Sequence, residues 1–219
     1  MTTTESPSVP AFIEPLKKLY SKVVRARGDT HRGVGWSTRH VQDVRFNVLL
    51  SLLDSVPEHD SVTVCDFGCG WGALWDKLVQ WPSPTIRSYI GYDISDEMIA
   101  LAKRRVSDPR VQFFVYDGSL RDVDYGFVSG TFNFHDRIPR ETWEPYVQKT
   151  LDDLASRCLR GIAFNLLHKR AQKRHPMFYT EPEPWLKRAQ SWLDARGGGT
   201  VSLQDNYLPD DFTIFVHFA

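Results

Sequence analysis

Residues 62–72, VTVCDFGCGWG, place Gly68, Gly70 and Gly72 between a short β-branched run and a segment of helical spacing. Glycine lets the backbone turn sharply and lets a ligand approach with no Cβ in the way. A helix that starts after such a turn presents unpaired N–H groups and a positive dipole end. Two carboxylates follow. Asp93 ends the run SYIGYD and Asp117 ends VQFFVYDG. An acid at the end of the strand after a glycine turn can accept both hydroxyls of a ribose. An acid one strand further on could accept from an exocyclic amine. Each residue also has a plainer reading: Asp93 as a helix cap, Asp117 as the acid of an Asp-Gly turn, Trp71 as packing at the helix start.

These groups need strands and helices in alternation to hold them. Residues 62–66, 88–93, 111–116, 125–129 and 162–167 read as strands, with helices expected over 71–81, near Ser95, and over 142–158, the last stopped by Gly161. A helix over 183–195 precedes strands at 201–204 and 212–218, which a short turn forces to pair antiparallel. Upstream, residues 10–25 and a stretch capped by Ser37 or Thr38 are amphipathic and flank a glycine-rich loop. The expectation is an α/β fold with a Rossmann-like, seven-stranded, mostly parallel sheet and an antiparallel C-terminal hairpin. Residues 1–58 are expected to form a tail and helical cap, and residues 59–219 the ligand-binding core.

Composition narrows the class. The 219 residues are 42% hydrophobic and 25% charged, ordinary for a globular protein. Lysine plus arginine equals aspartate plus glutamate at 27 each, which argues against a dedicated nucleic-acid binder. Cys65, Cys69 and Cys158 form no CxxC pair, and no histidine cluster has zinc spacing, so no metal site is expected. Few cysteines suit a cytoplasmic protein. The opening MTTTESPSVP lacks the pattern of a signal peptide, and no apolar run is long enough to span a membrane.

DFGCGWG, GYDIS and VYDG together resemble the cofactor motifs of class I S-adenosylmethionine (SAM)-dependent methyltransferases. The resemblance implies that Gly68, Gly70, Trp71 and Gly72 wrap the methionine part of SAM, with Asp66 near its amino group. It implies that Asp93 holds the ribose, that Asp117 and Gly118 sit at adenine, and that Ile94 and Met98 pack near the ring. YGFVSGTFNF resembles the fourth motif, placing Ser129 and Gly130 beside the cofactor. RGVGW and IAFNLL are similar to segments of bacterial small-molecule methyltransferases, which implies a cap closing over SAM, with Tyr20, Arg32 and Trp36 lining the pocket. Nicotinamide oxidoreductases share the fold and the ribose acid, but their usual turn is GxGxxG rather than the GxGxG found here. A scaffold that binds SAM without catalysis would keep every one of these motifs.

The acceptor leaves fewer marks. GTFNFHD stands where members that methylate nucleic acids or glutamine carry an NPPY-like run, and no double-glutamate loop is evident. The resemblance therefore points to a small-molecule substrate, acting through O, N or C, with natural-product biosynthesis as one setting. Oligomeric state is not legible. His135, just past the fourth strand, and His31, in the cap loop, are the candidate catalytic bases. The basic run of residues 168–175 is either a solvated turn or an attractor of anionic substrates.

Overall fold

The structure is a computed structural model that describes residues 9–27, 38–171 and 176–219. Its sheet is built from β1 (Ser61–Phe67), β2 (Thr85–Asp93), β3 (Val111–Val115), β4 (Val123–Val128), β5 (Cys158–His168), β6 (Tyr179–Thr180), β7 (Gly199–Gln204) and β8 (Asp211–Phe218). The strand order is β3-β2-β1-β4-β5-β8-β7, with the two-residue β6 paired to the end of β5. The first five strands pair in parallel, and β8 runs antiparallel to both β5 and β7. Sequence reading expected seven strands; β6 is the eighth, too short to leave a periodic signal.

The helices are α1 (Glu14–Arg27), α2 (Arg39–Leu50), α3 (Ala73–Leu78), α4 (Asp96–Arg105), α5 (Arg140–Arg157) and α6 (Pro182–Arg196). Alternate strand residues supply two apolar layers. Phe67, Tyr92, Ile162 and Phe164 face Trp143, Leu151, Trp185 and Leu193 of α5 and α6. Val62, Val64, Tyr89 and Ala163 face Leu49, Leu74, Trp75 and Ile99 of α2, α3 and α4. The chain runs outward from β1 to β3, then returns beside β1 as β4. The crevice between the ends of β1 and β4 is the point at which such sheets bind ligands.

Two expected boundaries move. The helix expected over 71–81 begins only at Ala73, because Cys69–Gly72 form a turn closed by the Gly72 N–H to the Cys69 carbonyl at 2.9 Å. Gly72 has φ +82°, and a Cβ there would lie 2.7 Å from the Phe113 ring. Gly161 does not stop α5. The helix ends at Arg157 and β5 starts at Cys158 with no loop between them. Gly161 is instead a strand residue whose Cβ would meet the Val216 carbonyl at 2.6 Å, so glycine is needed where β5 and β8 approach.

The α2 cap is Thr38, whose hydroxyl accepts from the Val41 N–H at 3.2 Å. Ser95 caps α4, accepting from Met98 at 3.3 Å. Helix α1 docks on that end of α4. Lys17 pairs with Asp96 at 2.5 Å, Ser21 shares a hydroxyl contact with Ser95 at 3.0 Å, and Arg25 pairs with Glu97. The Ser21 hydroxyl, then Arg25, hold the Glu97 carboxyl down to about 2. The opposite side of α1, through Leu16, Leu19, Tyr20 and Val23, roofs a cavity at the strand ends.

Candidate active site

The cavity forms where β1 and β2 end. Gly68 and Cys69 donate their N–H groups to the Tyr92 carbonyl at 2.7 and 2.9 Å, which fastens the glycine turn to β2. The Asp93 side chain accepts from the Gly70 N–H at 3.0 Å and from the Ser95 N–H at 2.8 Å. One carboxylate thus joins the turn to the start of α4. Burial pushes the Asp93 carboxyl up to about 6, opposed by those backbone donors. Gly68 has φ +78°, and a Cβ there would lie 2.2 Å from Thr131 Oγ1, which donates to the Phe67 carbonyl at 2.8 Å. The loop after β4 therefore crosses directly over the glycine turn.

The enclosed space is about 250 Å³. Gly68, Gly70, Asp93, Ile94, Met98, Ser129 and Gly130 line one part. Aromatic side chains line much of the rest: Phe67, Tyr116, Phe132, Phe134, Trp143 and Tyr146. Tyr20 reaches down from α1, its ring edge-on to Phe134 at 6.4 Å, and burial, then the Asp93 charge, push its phenol upward. Burial also raises the phenols of Tyr92, Tyr116 and Tyr146, the last to about 12.

The structure gathers Gly68, Gly70, Asp93, Ile94, Met98, Ser129 and Tyr20 around this cavity. It places others elsewhere. Asp66 is 3% exposed and off the lining; it accepts from the Tyr89 hydroxyl at 2.5 Å. Burial raises its carboxyl to about 7, against the Tyr89 hydrogen bond. Trp71 packs in the α3–α4 layer under the Arg105 guanidinium at 4.4 Å, and Gly72 serves the turn, so neither lines the cavity. Asp117 is exposed and accepts from the Ser119 N–H at 2.9 Å, and Gly118 beside it has φ +103°; both are turn residues in this structure. His135 is absent from the lining because its Nδ1 bonds the Ile138 carbonyl at 2.7 Å and its ring lies against Trp143. His31, Arg32, Trp36 and the cations Lys173 and Arg174 lie outside the described residues. Arg170 of the basic run pairs with Asp205 at 2.7 Å and does not line the cavity.

Sequence reading missed the aromatic wall and a buried polar chain beneath it. Arg45 of α2 lines the cavity and pairs with Asp211 through Nε at 2.7 Å and a terminal nitrogen at 2.8 Å. Asn165 donates to Asp211 at 3.0 Å and accepts from the Gly130 N–H at 2.7 Å. The chain α2–β8–β5 thereby fixes the loop after β4. An arginine in an otherwise apolar helix stripe was its only sequence signal.

The residues present fit a nucleoside cofactor. Asp93 offers a carboxylate at the strand end, Ile94 and Met98 give apolar surface for a base, and the glycine turn keeps Cβ atoms away from the space. Ser129 Oγ is buried with no hydrogen-bond partner among the described residues, as expected of a group awaiting a ligand.

Comparison with known proteins agrees. A methyltransferase-domain family model matches residues 64–156. A Mycobacterium tuberculosis protein assigned as a methyltransferase is 31% identical over 164 residues, covering 73% of this chain and 95% of its own. Among solved structures, magnesium protoporphyrin IX methyltransferase of Synechocystis PCC 6803, with bound SAM, superposes with a TM-score of 0.66 at 16% identity, covering 98% of this chain and 100% of that one. The [4+2]-cyclase SpnF superposes with a TM-score of 0.68 at 13% identity, covering 98% and 99%. At such identities these two structures speak for the fold.

Proposed function

Because the chain belongs to the class I SAM-dependent methyltransferase family, we propose that it transfers a methyl group to a small molecule held in the aromatic part of the cavity. One observation carries this reading: Asp93, the Gly68–Gly70 turn and the unpartnered Ser129 Oγ converge on a space that also opens onto a separate apolar wall. One side suits a nucleoside and the other a second, smaller molecule. The roof supplied by α1 favours a compact acceptor over a macromolecular chain. The neighbour from Synechocystis, named for a porphyrin, is likewise named for a substrate that is not a macromolecular chain.

Bound SAM would supply an electrophilic methyl on a sulfonium, open to attack by the acceptor's nucleophile. The protein's part is to align, to exclude water and to place protons. Alignment falls to Asp93 and the glycine turn on the donor side and to Phe132, Trp143 and Tyr146 on the acceptor side. Leu16, Leu19 and Val23 of α1 shut out water. Among the described lining residues the ionisable groups are Asp93, the ion-paired Arg45 and four tyrosines. The raised tyrosines keep their protons at neutral pH and act as donors rather than bases. The expected role of His135 as base has no support from its placement. Catalysis by proximity, with the proton leaving the methylated product as it returns to solvent, is the mechanism this lining favours.

The test is calorimetric titration with S-adenosylhomocysteine (SAH) beside NADH, on the wild type and on Asp93→Ala. SAH binding that weakens sharply in the variant, with NADH inert, supports the reading and licenses a methyl-transfer screen. NADH binding alone, or neither ligand binding, overturns it.

A further inference from the structure

We propose that the acceptor part of the cavity takes a neutral, flat aromatic molecule whose one polar handle donates a hydrogen bond to Asn133. The proposal rests on the methyl-transfer reading and goes on to name the substrate class.

Three observations support it. The first is the shape of the wall. Tyr116 stands edge-on to Phe67 at 4.9 Å, Phe67 is 6.1 Å from Phe132, and Phe132 is 6.3 Å from both Trp143 and Tyr146. Trp143 and Tyr146 are 5.5 Å apart. Rings at these spacings and tilts leave faces and edges for another ring to meet in stacked or edge-to-face geometry.

The second is charge. Arg45 is the one described lining residue with a cationic side chain, and both Asp211 carboxylate oxygens already engage it. An anionic acceptor would find no unneutralised partner there and would have to approach the Asp93 carboxylate. A cationic acceptor would be repelled by the donor's sulfonium once SAM is bound. Neutral molecules meet neither penalty.

The third is Asn133. It lines the cavity, is 4% exposed, and its Oδ1 is buried with no hydrogen-bond partner among the described residues. Its backbone is fixed on both sides, the N–H to the Gly130 carbonyl at 3.2 Å and the carbonyl to the Phe178 N–H at 2.8 Å. A rigid, unsatisfied acceptor set in an aromatic wall recognises one thing well: a hydroxyl, amine or ring N–H on an otherwise apolar molecule. A ligand without that donor leaves the oxygen unpaired and gains less.

The experiment uses three probes of one shape on the full chain at pH 7, each with and without SAH, followed by fluorescence titration. These are 1-naphthol, 1-methylnaphthalene and 1-naphthoate. The expected order is 1-naphthol tightest, about tenfold above 1-methylnaphthalene, the factor given by about 1.4 kcal/mol of net hydrogen bonding. 1-Naphthoate is expected weakest. Asn133→Ala and the bulkier Asn133→Leu should each bring the ratio of the first two probes close to one while SAH still binds. The wild-type order needs no variant, so a misfolded variant does not shelter the proposal. Tightest binding of 1-naphthoate, or equal binding of 1-naphthol and 1-methylnaphthalene by the wild type, overturns it. So does a naphthol preference that survives both substitutions. Correct sorting of the probes by a protein that binds no SAH would leave the pocket assignment standing and bring down the methyl-transfer reading alone.

Discussion

Lowering the pH should weaken cofactor binding through Asp93, and the size of the effect follows from the site. An exposed aspartate, titrating near 3.9, is ionised throughout the range from pH 5 to pH 7. Burial brings Asp93 to about 6, so roughly nine-tenths of the protein carries the charged form at pH 7 and roughly one-tenth at pH 5. If the ionised carboxylate is the form that accepts the ribose hydroxyls, apparent affinity scales with its fraction, and Kd for SAH rises about tenfold over that span. SAH keeps its own charges there, since an α-carboxyl titrates near 3.5 and an α-amine near 8. The assay is calorimetric titration at half-unit steps of pH. Asp93→Asn is the control. It cannot ionise, so its Kd should be flat with pH, and weaker than wild type at pH 7 by about 2 kcal/mol for the lost charge-assisted bonds. A flat wild-type profile refutes the argument. A slope that persists in Asp93→Asn refutes it as well and passes the titration to Asp66.

Three further expectations come from neighbouring groups. Asp66 has a folded pKa raised from 3.8 to about 7, so its contribution to stability is complete below pH 4 or so and is lost as pH rises through about 7; the interval is worth up to about 4 kcal/mol. Urea unfolding should therefore show wild type losing stability relative to Asp66→Asn between pH 5 and pH 8, and parallel curves would contradict the burial of that charge. Arg45→Met should cost about 3–5 kcal/mol by leaving Asp211 buried and unpaired, and adding Asp211→Asn should recover part of that loss; a double variant no better than the single would show that the pair is not coupled. His135→Ala should leave kcat within about threefold of wild type in a turnover assay, because a general base contributes at least about a hundredfold when it acts, and a loss of that size would restore His135 as the base.

The part of the cavity lined by Gly68, Gly70 and Asp93 was legible because its pieces are local in sequence. A glycine turn, the acid at the next strand end and the first turn of the following helix come in one stretch, and short-range geometry sets them against each other. Met98 and Ile94 came with it. The aromatic part was not legible, because its rings come from β1, the residue after β3, α5 and the loop after β4, and only the strand order brings them together. Trp143 lies in the helix expected over 142–158, and nothing in that span of sequence marks which ring faces a cavity. Asp117 met the spacing of an adenine contact, yet its carboxylate satisfies the turn that contains it. His135 stood at the right distance past β4, but a three-residue turn draws its ring toward the Ile138 carbonyl. Gly161 was read as a helix stop because sequence shows that glycine is needed without showing which neighbour demands it.

The position of β8 has a consequence for how the chain reaches this state. It is the final described strand, yet it lies inside the sheet between β5 and β7 and carries Asp211, the link between Arg45 and Asn165. During synthesis every strand of the parallel half emerges before it. Until β8 inserts, β5 presents an open edge from Gly161 to Leu167, the kind of edge that invites pairing with another chain. The Gly130 anchor beside the cavity is incomplete for the same interval. Cofactor can therefore reward only a chain in which β8 has paired: SAM cannot rescue one that lacks it, and loss of β8 should present as aggregation rather than as a weak enzyme.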